Sequence, residues 1–214
     1  MRIRKKKWTQ SELERSPLLV ARPELCKGAW NALFGGKSAV CLELGCGKGG
    51  FLAETASLNK DVGFLGLERQ RECLAKALRL SEGIPNILFI LADVSRLTDF
   101  FGAGEISRLY INFCDPWPNR KKWEKRRLTH ENFLDAYKYI LKPEGGLIFK
   151  TDSAELFDFS IKSFEKRGFF LKKVSRDAAH EPFNSVKTEY ERRFIGENKA
   201  IYYIEAAAPP NGHF

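Results

Sequence analysis

The sequence predicts an α/β protein, built on a mostly parallel sheet with helices on both faces and one antiparallel strand near the end. Three observations lead there. From Lys37 onward, apolar runs of strand length alternate with segments whose apolar residues recur at helical spacing, and repeated βα units of this kind fold into parallel sheets. Glycines and prolines punctuate the segment ends. The last two strand-like runs have no long helical segment between them, which predicts an antiparallel strand there.

Thr9–Gly35 reads as a mostly helical lead-in, interrupted by Pro17 and Pro23. Ser38–Leu44 is a buried-strand run that ends in glycines, and Gly50–Leu58 is a short helix. Val62–Leu67 forms the second strand. Gln70–Gly83 carries Cys73, Leu74, Ala77 and Leu78 at helical spacing and stops at Gly83-Ile84-Pro85. Asn86–Ala92 is the third strand, and Arg108–Cys114 the fourth, ending at Asp115. Asn132–Leu141 is a helix closed by Lys142-Pro143-Glu144-Gly145-Gly146, so the fifth strand is Leu147–Lys150. Ala154–Arg167 is a further helix. Phe169–Val174 and Ala200–Glu205 are the last strands, joined by a long connection that holds Thr188-Glu189-Tyr190-Glu191.

The 214 residues suffice for one domain with a full core, and 43% hydrophobic with 13% aromatic content argues against disorder. No apolar run approaches the roughly 20 residues of a membrane span, and no apolar core follows the basic start, so the expected location is the cytoplasm. Five scattered cysteines without a Cys-x-x-Cys pair, and three distant histidines, speak against a metal site. Cys41 and Cys114 read as small core residues. Charge is concentrated in two clusters, Met1–Lys7 at +5 and Asn119–Arg127 at +5, against a formal net of +9. A near-neutral globule with two basic tracts suits a polyanion partner.

Ligands of open α/β sheets bind beyond the carboxyl ends of the strands. Polar residues recur there: Glu43 to Gly50, Glu68, Asp93, Asp115 and Asp152. Gly45-Cys46-Gly47-Lys48-Gly49-Gly50 satisfies G-x-G-x-x-G, a pattern that lets bare backbone approach a ligand, although a tight strand-to-helix turn alone also favours glycine. Glu68 stands where an acid grips ribose hydroxyls. Two cofactors fit, a nicotinamide dinucleotide and S-adenosylmethionine. Glu43, two residues before the first glycine, favours the second, because a carboxylate repels a pyrophosphate and attracts an ammonium or sulfonium. Asp93 is then placed to accept from an adenine amino group or to polarise the loop that holds it. Two prolines stiffen the turn around Asp115 and Trp117. Trp117 either stacks on a base or packs the turn against the sheet, and the basic tract behind it suits phosphates.

Together, Glu43–Gly49 (ELGCGKG), Asn112–Pro118 (NFCDPWP), Lys125-Arg126-Arg127-Leu128-Thr129, Lys150-Thr151-Asp152 and Thr188-Glu189-Tyr190-Glu191 resemble the bacterial tRNA (guanine-N7-)-methyltransferases, in matching order from about Lys37 to Glu205. Many methyltransferases share the glycine loop; the DPWP turn with its KRR, and the late TEYE, are far more specific. The resemblance implies a Rossmann-like, seven-stranded, mostly parallel sheet with the last strand antiparallel. It implies a methyltransferase domain over residues 37–214, behind a basic arm and helical lead-in over residues 1–36. It also implies methyl transfer from S-adenosylmethionine to N7 of guanosine 46 in the variable loop of tRNA, the expected partner, without a metal. By the same resemblance Glu43, Gly45, Gly47, Glu68, Asp93 and Asp115 contact the cofactor, and Asp115 is the catalytic residue. Asp152 and Thr188, Glu189, Tyr190 and Glu191 contact the guanosine or hold its pocket. The family carries a lysine directly after DPWP. Here Asn119 stands there with Arg120 next, and either takes that part in binding substrate. Whether the chain is a monomer or a homodimer stays undecided. A nicotinamide-dependent oxidoreductase would use the same glycine loop but leaves the DPWP turn and the basic tract without a task.

Overall fold

The computed structural model describes residues 7–118, 120–184 and 186–209. The basic residues before Lys7, and Asn119, lie outside them. Seven strands form one sheet: β1 Ala39–Leu44, β2 Val62–Glu68, β3 Ile87–Leu91, β4 Ile106–Asn112, β5 Leu141–Thr151, β6 Phe170–Ser175 and β7 Tyr202–Ala207. Their order is β3-β2-β1-β4-β5-β7-β6. The first five are parallel, and β7 lies antiparallel between β5 and β6. The expected α/β class, strand number and late antiparallel strand therefore hold. The order reverses between β1 and β4, which is where such sheets open a crevice at their carboxyl ends.

Alternation along the strands feeds two apolar layers. Val40, Leu42 and Leu44 of β1 join Leu65 and Leu67 of β2 on one face, while Cys41 and Phe64 point to the other. The first layer is covered by helices α2 Trp30–Leu33, α5 Leu97–Phe100, α7 Glu131–Ile140 and α8 Ala154–Lys166. The second is covered by α1 Lys7–Arg15, α3 Gly50–Leu58 and α4 Arg71–Leu80. α6 Lys121–Glu124 and α9 Glu189–Gly196 complete the α-helices of the described residues.

The lead-in is stitched to the sheet. Phe89 donates its amide to the Leu18 carbonyl at 2.8 Å, and Val20 donates to the Phe89 carbonyl at 2.9 Å, so one parallel bridge covers the outer edge of β3. Trp30 is fully buried and donates Nε1–H to the Phe100 carbonyl at 2.9 Å.

The largest differences from expectation lie in β5 and in the connection before β7. β5 begins at Leu141, directly after α7, rather than at Leu147. Ile106 faces Leu141 and Arg108 faces Gly146, so the residues between Leu141 and Gly146 bulge out of the ladder. Gly145 is required there, because a Cβ would stand 2.7 Å from the Lys142 carbonyl oxygen. The long connection before β7 also contains a helix, α9.

Candidate active site

The glycine loop leaves β1 and is tied to the end of β2 by Gly45 N–H and Cys46 N–H, which donate to the Leu67 carbonyl at 2.8 and 3.2 Å. Gly45, Gly47 and Gly49 have φ of +70°, +56° and +78°. At Gly49 a Cβ would also meet the Ala77 Cβ at 2.8 Å, which fixes how closely α4 approaches the loop. At Gly45 and Gly47 the Cβ position is open, facing the crevice. Glu68 braces the loop, its carboxylate accepting from Gly47 N–H at 3.0 Å and Gln70 N–H at 2.7 Å. Asp93 accepts from Ser95 N–H at 2.9 Å. That bond, with Arg69 3.8 Å away, holds its carboxyl below the usual range.

Glu43 forms the floor. It is buried, and its Oε1 accepts from Asn112 Nδ2 at 2.8 Å. Its Oε2 has no partner among the described residues, and neither has the buried Oδ1 of Asn112. Burial pushes the Glu43 carboxyl up to about 7, against the opposing pull of the Asn112 hydrogen bond and the Lys150 charge. A buried carboxylate oxygen without a donor costs free energy that a cationic ligand head relieves. Of the two cofactor classes weighed above, this floor accepts an ammonium and disfavours a pyrophosphate.

Asp115 is exposed on the crevice wall, within a turn bracketed by two residues in the left-handed region, Phe113 (φ 49°) and Trp117 (φ 40°). One arginine holds that turn. Arg127 is only 1% exposed; its Nε donates to the Pro116 carbonyl at 2.9 Å and its Nη2 to the Trp117 carbonyl at 2.7 Å. It also pairs with Glu155 and lies 4.6 Å over the Phe159 ring. Arg127 therefore does not belong to the phosphate-facing tract. Its charge is used inside the protein to fix the Asp115 turn.

The TEYE segment closes the crevice from the side. Thr188 caps α9 in a reciprocal capping box with Glu191. Glu191 is fully buried: it pairs with Lys150 Nζ at 2.9 Å and accepts from Asn184. Lys150 also donates to Asn184 Oδ1 at 2.7 Å and to the Val186 carbonyl at 3.2 Å. Burial lowers the Lys150 pKa despite that partner. Glu189 reaches across to Lys48 of the glycine loop at 2.8 Å, and Arg192 pairs with Glu54 of α3. Tyr190 stacks on Phe113 with ring centroids 6.4 Å apart.

The crevice encloses about 570 Å³ and brings together Glu43, Gly45, Gly47, Glu68, Asp93, Asp115, Thr188, Glu189 and Tyr190. Three expected residues are not on its wall. Glu191, in the first turn of α9, is fully buried and lies off the crevice wall. Asp152 and Arg120 are exposed outside the crevice. Among the described residues there is no cluster of potential metal ligands and no helix long and apolar enough to cross a membrane.

Comparison with known proteins places the chain in a family. The family described as "Putative methyltransferase" matches residues 37–204. A tRNA (guanine-N(7)-)-methyltransferase of Streptococcus agalactiae is 42% identical over 210 residues, covering 96% of this chain and 99% of that protein. The enzyme of the same name from Halalkalibacterium halodurans is also 42% identical, covering 96% and 95%. The chain belongs to the tRNA (guanine-N7-)-methyltransferase family. The solved structure of the 16S rRNA methyltransferase KamB shares the fold, with a TM-score of 0.66 at 14% identity over 86% of this chain and 94% of that one.

Within this methyltransferase family member, the sequence reading leaves Asn112 and Lys150 without a task and counts Arg127 among the phosphate-facing cations, yet all three build the site. Asn112 is the sole hydrogen-bond donor to Glu43 among the described residues, Lys150 anchors α9, and Arg127 locks the DPWP turn. Asn112 and Lys150 carry no sequence signal beyond membership in the matched motifs, and nothing in the sequence sets Arg127 apart from the basic tract.

Proposed function

We propose that this chain methylates N7 of a guanosine in tRNA, guanosine 46 of the variable loop, with S-adenosylmethionine as donor, and that it works in the cytoplasm where tRNA is found. The supporting observation is one crevice with an orphaned buried carboxylate at its floor, Glu43, and an exposed carboxylate at its rim, Asp115, with a basic tract beside it. When bound, S-adenosylmethionine supplies a methyl group on a positively charged sulfur. Glu43 holds the amino-acid ammonium, Gly45 and Gly47 leave room for the ligand against the loop, and Glu68 and Asp93 accept from ribose and adenine. Guanine N7 carries a lone pair and no proton, so no general base is required. Asp115 orients the guanine and balances the positive charge that grows on its ring. Incubating the protein with labelled S-adenosylmethionine and tRNA, then analysing nucleosides, should yield 7-methylguanosine; its absence would refute the reading.

Two expected results follow from the site. Affinity for S-adenosylhomocysteine, which keeps the ammonium, should rise as pH increases toward about 7 and level off above it, because Glu43 is neutral below that pH. The slope approaches about tenfold per pH unit. The same raised pKa makes the Glu43 contribution to ligand-free stability present below the unfolded value of 4.5 and lost as pH rises through about 7. Calorimetric titration across that range should show the rise in the wild type and a flat profile in Glu43→Gln.

Replacing Arg120, Lys122 and Lys125, all exposed, by Ala should flatten the slope of log affinity for tRNA against log salt by about 2, at roughly 0.7–0.9 per phosphate contact. Filter binding at several salt concentrations reads it, and an unchanged slope moves the phosphate contacts to another surface.

A further inference from the structure

Trp117 and Trp123 pack on each other and on neighbouring cations rather than in the body of the fold. Neither indole belongs to the apolar layers on the two faces of the sheet. Both are partly exposed, and they lie face to face with centroids 5.3 Å apart and planes 6° from parallel. Cations surround them: the Arg126 guanidinium carbon sits 4.9 Å from one ring centroid and 4.6 Å from the other, and Lys122 Nζ sits 5.2 Å from that of Trp123. Trp117 and Arg126 line the crevice beside Asp115, whereas Trp123 does not. The position of Trp117 is enforced. Its φ of 40° is strained for a residue with a Cβ, and the buried Arg127 grips its carbonyl.

A rigid, partly exposed aromatic pair dressed with cations is complementary to a flat π-face flanked by phosphates. We propose that Trp117 and Trp123, with Arg126, form a stacking platform for an unpaired nucleobase of the tRNA next to the guanosine being methylated. The proposal rests on the methyltransferase reading above and assigns it a second RNA contact. The base lies on the exposed indole surface, while Arg126 and Lys122 meet its phosphates. Because every base offers a π-face, the platform tolerates any base and reads only that the nucleotide is unstacked. It sets the register that delivers the neighbouring guanosine to Asp115.

In steady-state methylation of an unmodified tRNA transcript, Trp123→Ala should raise KM for tRNA roughly tenfold, with kcat and affinity for S-adenosylhomocysteine little changed. Trp123→Phe should restore most of the affinity. Saturating tRNA should quench tryptophan fluorescence in the wild type, and part of that quenching should vanish in Trp123→Phe. An unchanged KM in Trp123→Ala overturns the platform, as does a variant that loses cofactor affinity while tRNA affinity stays intact. If Trp123→Ala does not fold, quenching that survives in full in Trp123→Phe overturns it. A wild-type protein that makes no 7-methylguanosine removes the methyltransferase reading itself, and the platform with it. The other outcomes remove the platform alone.

Discussion

Asp115→Ala is expected to lower the single-turnover rate of tRNA methylation by at least about 100-fold, within the range seen when one electrostatic stabiliser of a transition state is removed. The affinity for tRNA should change little, because the substitution leaves the exposed cations of the neighbouring tract untouched. A purine nitrogen with a free lone pair needs position and charge balance, which a carboxylate on a stiff turn supplies. Arg127 keeps that turn rigid from inside, so truncating Asp115 leaves the wall in place and removes only the carboxylate. Asp115→Asn separates the two contributions. It keeps an acceptor and loses the charge, so its rate should fall between the wild type and the alanine variant. Near-normal turnover by Asp115→Ala at saturating tRNA would transfer the role to another group.

Glu191→Ala is expected to destabilise the fold by about 3–5 kcal/mol, the usual cost of stranding one member of a buried ion pair. Glu191 and Lys150 have side chains 0% and 3% exposed, and Glu191 also completes the cap of α9. The urea midpoint should drop accordingly. Lys150→Met combined with Glu191→Gln should recover much of the loss, because it removes the stranded cation and keeps a group able to cap the helix. An unchanged midpoint with lost activity would instead place Glu191 in contact with substrate.

The strands of the parallel half were legible because buried strands read as short apolar runs between glycines and prolines. The Gly50–Leu58 helix was read with the bounds it has in the structure. The start of β5 was not, because Pro143, Gly145 and Gly146 carry every local mark of a loop, and only pairing with β4 shows the ladder resuming beyond a bulge. α9 escaped because its sequence is polar, although Thr188 followed three residues later by Glu191 is a capping-box signature. Arg126 and Arg127 are adjacent and chemically alike. One lies over indoles at the surface and the other is walled in by Glu155 and Phe159, a distinction that neither composition nor charge pattern contains. The glycine loop and the acids after the strands were legible for the opposite reason: their positions follow from topology alone.

β7 fills the gap between β5 and β6, and this has a consequence for biosynthesis. On the ribosome β6 emerges before β7, the one strand it pairs with among the described residues, so the facing edges of β5 and β6 stay unpaired until Tyr202–Ala207 clears the exit tunnel. During that interval exposed edges invite pairing with other chains. Lys172 and Lys173 on β6 place like charges along the waiting edge and discourage such encounters.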